Sequence, residues 1–149
     1  MKVKELMTGS VICVSPEESV AVASRIMARN NIGALPVCWA DGRLCGMVTD
    51  RDLVTRCVAA GRNPGTTTVR EIMTGQVFTA TAEMDAGAAA HLMGRRQVRR
   101  LPVTEQGKLC GMVSLGDLSR CDHTAPDATD ALAEISTNIT GLGNGTSAQ

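Results

Sequence analysis

Apolar residues in the first half of the chain follow a strand pattern and then a helix pattern. Residues 11–14 form a short apolar run, which predicts a strand. Ser19, a residue type that caps helices, precedes apolar side chains at the spacing of one helix face: Val20, Ala23 and Met27. Residues 77–80 and Asp85 start the same pattern in the second half, which continues with Ala86, Ala89 and Met93.

A hairpin and a second helix follow each of these predicted helices. Two apolar runs, residues 34–39 and 43–49, flank an Asp-Gly pair, which is a strong hairpin signal. The second half turns at Gln106-Gly107. A helix is then predicted from near Asp52 to Gly61, since glycine suits the left-handed position after a helix. The pattern predicts an α/β (α+β) fold in which strand, helix, strand, strand and helix occur twice.

Three sequence matches identify a duplication. Leu-Met-Thr-Gly-Ser-Val at 6–11 returns as Ile-Met-Thr-Gly-Gln-Val at 72–77, and Leu-Pro-Val at 35–37 returns at 101–103, both at an offset of 66. Leu-Cys-Gly-Met-Val-Thr at 44–49 returns as Leu-Cys-Gly-Met-Val-Ser at 109–114, at an offset of 65. We assign residues 1–61 and 69–124 to the two motifs, 62–68 to a linker and 125–149 to an acidic tail.

The tail is predicted to hold a short helix and a flexible end at 141–149. Its apolar stripe consists of Ala131, Leu132, Ile135 and Ile139. The pattern favours a terminal element that packs on the body or on a dimer partner, and a segment that binds another protein is the alternative.

The formal net charge of zero conceals an uneven distribution. The body through Arg120 carries 15 basic and 11 acidic side chains, or +4, and the remainder carries four acids and no base, or −4. The excess corresponds to one group: Arg95, Arg96, Arg99 and Arg100. These arginines either complement a helix C-terminus while solvated or meet an anionic ligand. Nucleic acid is not expected as a partner, because only Trp39 and Phe78 could stack on bases.

Membrane insertion, export and metal binding are not expected. No apolar stretch approaches the roughly 18 residues of a membrane span, and no signal-peptide core follows the N-terminus, so a cytoplasmic location is predicted. The six cysteines contain no Cys-x-x-Cys, and the histidines are His91 and His123. We expect free, buried thiols and no metal site.

One chemical motif occurs in both copies: a glycine, two apolar residues, a hydroxyl, two other residues and an aspartate. It spans 46–52 and 111–117. A hydroxyl three residues before an acid resembles a capping box, which is a structural feature. The same groups also suit a nucleoside phosphate, because a helix start presents amide groups, a carboxylate can accept from ribose hydroxyls and glycine permits close approach.

The duplicated unit resembles a tandem pair of CBS domains, or Bateman module, of the stand-alone bacterial type that includes hypoxic response proteins. The resemblance covers residues 1–121. It implies two motifs related by a pseudo-twofold axis, with clefts between them for AMP, ADP, ATP or S-adenosylmethionine, and pairing of modules into homodimers. No cofactor is required.

The resemblance also implies roles for individual residues. Asp52 and Asp117 would hold ribose hydroxyls, and Thr49 and Ser114 would contact ribose or phosphate. Groups near the base would come from Ser15 and Thr81, walled by Leu35, Pro36, Leu101 and Pro102. Arg99 and Arg100 would reach phosphate. Because Gly33 and Ala34 replace these arginines in the first copy, we expect one anionic-ligand site rather than two.

The leading hypothesis is therefore a non-catalytic sensor that binds an adenosine-containing ligand as a homodimer. The alternative is a protein-interaction scaffold with vestigial clefts and a still unidentified partner. An enzyme is not expected, because no nucleophile has a visible base partner.

Overall fold

The computed structural model describes the backbone of residues 1–145 and the side chains of residues 1–137. The chain forms two compact units. The first-repeat unit contains Val11–Val77 and Gln106–Leu109, and the second-repeat unit contains Met1–Ser10, Phe78–Glu105 and Cys110–Gln149. The first ten residues of the first motif therefore belong to the second-repeat unit, and residues 69–77 of the second motif belong to the first-repeat unit.

The first-repeat unit combines a hairpin with short helices. Its elements are α1 (Val20–Asn30), β1 (Ala34–Cys38), β2 (Leu44–Thr49), α2 (Asp50–Asp52), a π-helical turn (Leu53–Val58) and α3 (Val69–Ile72). The predicted cap is confirmed, because the Val22 amide donates to the Ser19 hydroxyl at 3.2 Å. β1 and β2 are antiparallel with Leu35 opposite Val48, and Gly42 turns between them at a φ of 89°.

The core of this unit joins the inward side of α1 to the hairpin. Its fully buried side chains include Ala23, Leu35, Val37, Val48, Cys57, Val69 and Ile72. α3, which the sequence pattern did not predict, contributes the last two. Its N-terminus is closed by a capping box, in which the Thr68 amide donates to the Glu71 carboxylate at 2.7 Å.

The second-repeat unit repeats this plan and adds a helix. A 3₁₀ turn (Val3–Glu5) precedes α4 (Ala86–Arg96), β3 (Arg100–Glu105), β4 (Lys108–Ser114), α5 (Leu115–Ser119) and α6 (Ala125–Gly145). The predicted Asp85 cap is confirmed, since its carboxylate accepts from the Ala88 amide at 3.1 Å. β3 and β4 form the second antiparallel sheet.

The strands predicted at 11–14 and 77–80 are wrong in extent. Each is reduced to one residue that forms a parallel bridge, Val14 with Val37 and Ala80 with Val103. The Val14 amide donates to Pro36, and the Cys38 amide donates to Val14. Pro36 and Pro102 supply carbonyls but lack the amide that a longer ladder requires.

α6 packs against α4 and α5 within the second-repeat unit, as the pattern of its apolar stripe favoured. Ala128, Ala131 and Ile135 are buried, whereas Leu132 is exposed. With 21 residues the helix is longer than the short one expected, and it includes part of the end predicted to be flexible. The side chain of Ile139 and residues 146–149 lie outside the described residues.

The thiols differ partly from expectation. Cys38 and Cys57 are buried, Cys13 is exposed, and the other three are half-buried. Burial, together with the neighbouring Cys13, raises the pKa of the Cys38 thiol to about 12.

Across the described residues, no helix is both long and apolar enough to span a membrane.

Candidate functional site

Both copies of the hydroxyl and aspartate motif lie where a strand ends and a helix begins. In the first-repeat unit, the Asp52 amide donates to Thr49 Oγ1 at 3.1 Å and the Thr49 amide donates to Asp52 Oδ2 at 3.0 Å. In the second, the Asp117 amide donates to Ser114 Oγ at 3.1 Å and the Ser114 amide donates to Asp117 Oδ2 at 2.9 Å. The motif is therefore a reciprocal capping box in both units.

The second oxygen of each aspartate faces an arginine that the sequence motif does not include. Asp52 Oδ1 lies 3.8 Å from Arg56 Nε, and Asp117 Oδ1 lies 3.2 Å from Arg120 Nη2. The Arg120 side chain is 73% exposed, and an ion pair of this kind is weak in solvent. Asp117 Oδ1 can therefore exchange its arginine for a ribose hydroxyl without breaking the cap. At Asp52 the carboxylate side chain is only 12% exposed, and Arg56 also donates to the carbonyls of Ile72 and Met73 at 3.2 Å.

The glycines of the motif have a structural role. A Cβ on Gly46 would lie 2.8 Å from the carbonyl oxygen of Thr74, and one on Gly111 would lie 2.8 Å from that of Thr8. The Met-Thr-Gly segments pair here with β2 and β4, through bridges of Met47 with Thr74 and Met112 with Thr8. The expectation that these glycines admit a ligand is corrected, because the chain itself fills the space.

Ser15 and Thr81 are exposed and directly follow the bridging residues Val14 and Ala80. The Ser15 hydroxyl accepts from the Glu17 amide at 3.3 Å. Because β1 lies between Val14 and β2 in the sheet, Ser15 and Thr49 are on opposite sides of β1. A ligand that touches both must cross this strand.

The residues expected to pack against the adenine base of a ligand are buried. Leu35 and Leu101 are fully buried core side chains, and Pro36 and Pro102 are buried as well. The Leu35 side chain belongs to the core of the first-repeat unit and the Leu101 side chain to that of the second-repeat unit, so neither is open to a ligand in this structure.

Arg99 and Arg100 are exposed beside the N-terminus of α5. The Leu115 amide donates to the Arg99 carbonyl at 2.9 Å, which holds Arg99 at the first turn of that helix. Ser114 and Asp117 form the cap of α5, Arg120 pairs with Asp117, and Arg99 is joined to this turn through its carbonyl. The second-repeat unit thus has a hydroxyl, a carboxylate and cations in neighbouring positions. A ribose phosphate needs this combination.

The corresponding place in the first-repeat unit has a different electrostatic character. The Asp50 amide donates to the Gly33 carbonyl at 2.9 Å, and the Asp50 carboxylate is exposed next to Gly33. A shallow, largely open depression of about 340 Å³ lies here, lined by Met27, Ala28, Asn31, Ile32, Gly33 and Asp50. The missing arginines are visible in the sequence, whereas the position of Asp50 beside Gly33 is not.

Two other residue groups have roles outside the motif. His91 is exposed and its Nε2 lies 3.2 Å from Asp127 Oδ1, so it links α4 to α6. The Arg96 guanidinium lies 4.5 Å from the ring centre of Phe78.

Within residues 1–137, no three His, Cys, Asp or Glu side chains are grouped in a way that could hold a metal ion.

Comparison with known proteins identifies the family to which the two repeats belong. The family model described as "CBS domain" matches twice, at residues 3–59 and 69–124. The CBS domain-containing protein YhcV of Bacillus subtilis is 40% identical over 134 residues, covering 90% of this chain and 94% of YhcV. Hypoxic response protein 1 of Mycobacterium tuberculosis is 37% identical over 117 residues, covering 78% of this chain and 82% of that protein.

Solved structures of CBS proteins share the fold. Hypoxic response protein I, crystallised with two coordinated zinc ions, has a TM-score of 0.74 and 36% identity, covering 80% of this chain and 98% of that one. The CBS domain pair of protein MJ0100 was crystallised in complex with 5′-methylthioadenosine and S-adenosylmethionine. It has a TM-score of 0.72 and 27% identity, and the match covers 80% of this chain and 94% of that one. The mixed helix and strand fold and the two matched motifs confirm the predicted tandem pair, and the chain belongs to the CBS domain family.

Proposed function

We propose that this CBS pair is a sensor that binds an adenosine-containing ligand at its hydroxyl and aspartate helix starts. CBS domains generally serve as regulatory, non-catalytic modules. The observation that supports the proposal is that the two carboxylate oxygens of each aspartate have different partners. Oδ2 is held by the capping box, and Oδ1 pairs with an arginine, which at Asp117 is the exposed Arg120 that a ribose hydroxyl can replace.

Two further features support an adenosyl ligand. The second-repeat unit adds two exposed cations, Arg99 and Arg100, and the Arg99 carbonyl accepts from the Leu115 amide at the first turn of α5. These cations would meet a phosphate of the ligand. The MJ0100 pair, which shares this fold, was crystallised with two adenosyl compounds. No cofactor enters the proposal, and AMP, ADP, ATP and S-adenosylmethionine are the ligands to test first.

Isothermal titration of the full chain tests the proposal. AMP, ADP, ATP, NADH and S-adenosylmethionine are titrated separately, with GMP as a control for base recognition. Saturable heat with at least one adenosyl compound supports sensing. If none of these compounds gives binding heat or a shift in melting temperature, the proposal is wrong. Mass spectrometry of compounds released from the purified, denatured protein gives an independent answer.

The capping boxes also favour a second function, a protein-interaction scaffold. Both groups of each motif have a structural role without any ligand, so the motif can be kept for stability alone. On this alternative, Ser114→Ala lowers stability and changes no ligand affinity. Cross-linking the protein in cells, followed by mass spectrometry, would then recover a stoichiometric protein partner and no small molecule.

A homodimer is the assembly we propose. Val54 and Val58 are 57% and 68% exposed on the π-helical turn of the first-repeat unit, whereas α6 packs against α4 and α5 of the second-repeat unit. Light scattering after gel filtration should give twice the monomer mass, and Val58→Asp should give the monomer. Thr137→Asp on the exposed side of α6 is the matched control. A cytoplasmic location stays a prediction that cell fractionation tests.

A further inference from the structure

We propose that Arg56 closes the aspartate of the first-repeat unit to ligand. Its guanidinium takes the place beside Asp52 that a ribose hydroxyl takes beside Asp117, so the unmodified chain binds adenosyl ligand in the second-repeat unit alone. This inference rests on the proposed function and names the residue that decides which aspartate is open. It depends on what holds the arginine that faces each aspartate.

The Arg56 side chain has three partners in the first-repeat unit. Its Nη1 donates to the carbonyls of Ile72 and Met73, each at 3.2 Å, and its Nε lies 3.8 Å from Asp52 Oδ1. These carbonyls end α3, and the last carbonyls of a helix have no partner within the helix. Because the guanidinium is planar and rigid, Nε cannot turn away from Asp52 while Nη1 keeps both carbonyl bonds.

Arg120 is held much less firmly in the second-repeat unit. Its Nη2 donates to Asp117 Oδ1 at 3.2 Å. In the part of the chain whose side chains are described, the structure gives the Arg120 side chain no other hydrogen bond or ion pair. A ligand that replaces Arg120 therefore breaks one exposed ion pair, which costs little in water.

The burial of the two carboxylates agrees with this difference. The Asp52 side chain is 12% exposed, and the Asp117 side chain is 20% exposed. In both residues Oδ2 is used by the capping box, so Oδ1 is the oxygen left to accept from a ribose hydroxyl. In the first-repeat unit that oxygen is reached only after Arg56 has moved.

The difference between the units goes back to one position of the repeat. Arg56 follows Asp52 by four residues, a spacing that brings side chains together on a helix. At the offset of 65 the corresponding residue is Cys121, whose Sγ lies 3.3 Å from Met1 Sδ. A thiol is only a weak hydrogen-bond donor, so it cannot close Asp117 as Arg56 closes Asp52.

Titration of the full chain with adenosine tests the inference. Adenosine presents the ribose hydroxyls without a phosphate, so the cations of the second-repeat unit do not dominate the result. The unmodified chain should bind one adenosine per chain. Arg56→Met keeps an unbranched side chain but removes the donors, and this variant should bind two.

Variants of the two aspartates assign the additional site. With Asp117→Asn weakening the second-repeat site, Arg56→Met should raise the adenosine affinity of the first-repeat site about tenfold, the factor for one competing charge-assisted hydrogen bond. Asp52→Asn, added to Arg56→Met, should return the stoichiometry to one. Asparagine keeps an oxygen that can accept in the cap. The opened site should prefer adenosine to 2′,3′-dideoxyadenosine, which lacks the hydroxyls.

Two further arginine variants serve as controls. Arg51→Met removes an exposed cation from the same turn and should leave the stoichiometry at one. Arg56→Lys keeps the charge but cannot bond both carbonyls and face Asp52 as a planar fork does, so it should also open the site. Thermal melts check that each variant is folded, and Arg56→Lys decides the question if Arg56→Met does not fold.

Each result decides a stated claim. One adenosine per chain in both Arg56 variants overturns this inference and leaves the proposed function intact. Two adenosines bound by the unmodified chain overturn it as well, and so does a loss of affinity on Arg56→Met in the Asp117→Asn chain, which would make Arg56 a ligand contact. If adenosine binds no variant, the inference is wrong. If the nucleotides and S-adenosylmethionine also fail to bind the unmodified chain, the proposed function itself fails.

Discussion

Gly94 of α4 lies directly against Ala131 of α6. A Cβ built on Gly94 would approach the Ala131 Cα to 3.1 Å and its Cβ to 3.3 Å. Ala89, Ala90 and Met93 are fully buried on the same helix. The close approach makes α6 part of the core of the second-repeat unit, although its composition reads as a separate acidic tail.

We predict that Gly94→Leu destabilises the protein. The larger side chain has to displace α6, and overpacking of this kind costs about 1–3 kcal/mol of unfolding free energy. Urea unfolding followed by circular dichroism measures the loss. Gly9→Ala is the matched control, because a Cβ at Gly9 meets nothing within 4 Å. Equal stability of Gly94→Leu and the unmodified chain would show that α6 does not pack closely there.

Removal of either cap hydroxyl should also lower stability. Thr49→Ala and Ser114→Ala each leave the amide of the following aspartate without its acceptor, at a cost of about 1 kcal/mol. Thermal or urea unfolding measures this loss. Ser114→Thr keeps the hydroxyl and serves as the control, and a loss as large in this variant as in Ser114→Ala would contradict the capping role.

Arg100→Ala should weaken AMP binding and leave adenosine binding unchanged, because only AMP offers a phosphate to the guanidinium. We expect a loss of about tenfold, as for a charge-assisted hydrogen bond of roughly 1.5 kcal/mol. Isothermal titration with both compounds measures it. Arg95→Ala removes an exposed cation of the same cluster from within α4 and should have a smaller effect. Equal losses in both variants would indicate a general effect of net charge.

Asp117→Ala is expected to weaken AMP binding more than Asp52→Ala, since the cations accompany Asp117. The same titration gives both affinities, and unfolding curves separate the loss of ligand contact from the loss of the cap. Equal AMP losses in the two variants would contradict the asymmetry between the units.

Acid should weaken the contact of Lys2 and Lys4 with Glu83 inside the second-repeat unit. Hydrogen bonds from Lys2 and Lys4 lower the pKa of Glu83 from 4.5 to about 2. Because the folded pKa lies below the unfolded one, this contribution is complete above about pH 4.5 and is lost as the pH falls toward 2. Glu83→Gln should therefore unfold more readily than the unmodified chain at pH 6, with the difference shrinking at pH 3. A difference that stays constant with pH would exclude this ion-pair origin.

The sequence by itself determined the elements that local chemistry specifies. The Ser19 and Asp85 caps, the two hairpins and the hydroxyl and aspartate motifs follow from residue types at fixed spacing, and each was found where it was predicted. The duplication was visible because repeated motifs keep the same order and offset. Short-range hydrogen bonds form between residues that are close together in the chain, so the order of residue types along the sequence is enough to predict them.

Only the tertiary structure decided what fills the space around these elements. In the folded chain, the strands predicted at 11–14 and 77–80 are reduced to single bridges. Thr74 lies against Gly46, and Thr8 lies against Gly111. Leu35 and Leu101 are buried in the core. Asp50 lies against Gly33, seventeen positions away in the sequence. The physical reason is that close packing and charge depend on distance in space, and residues far apart along the chain become neighbours only after folding.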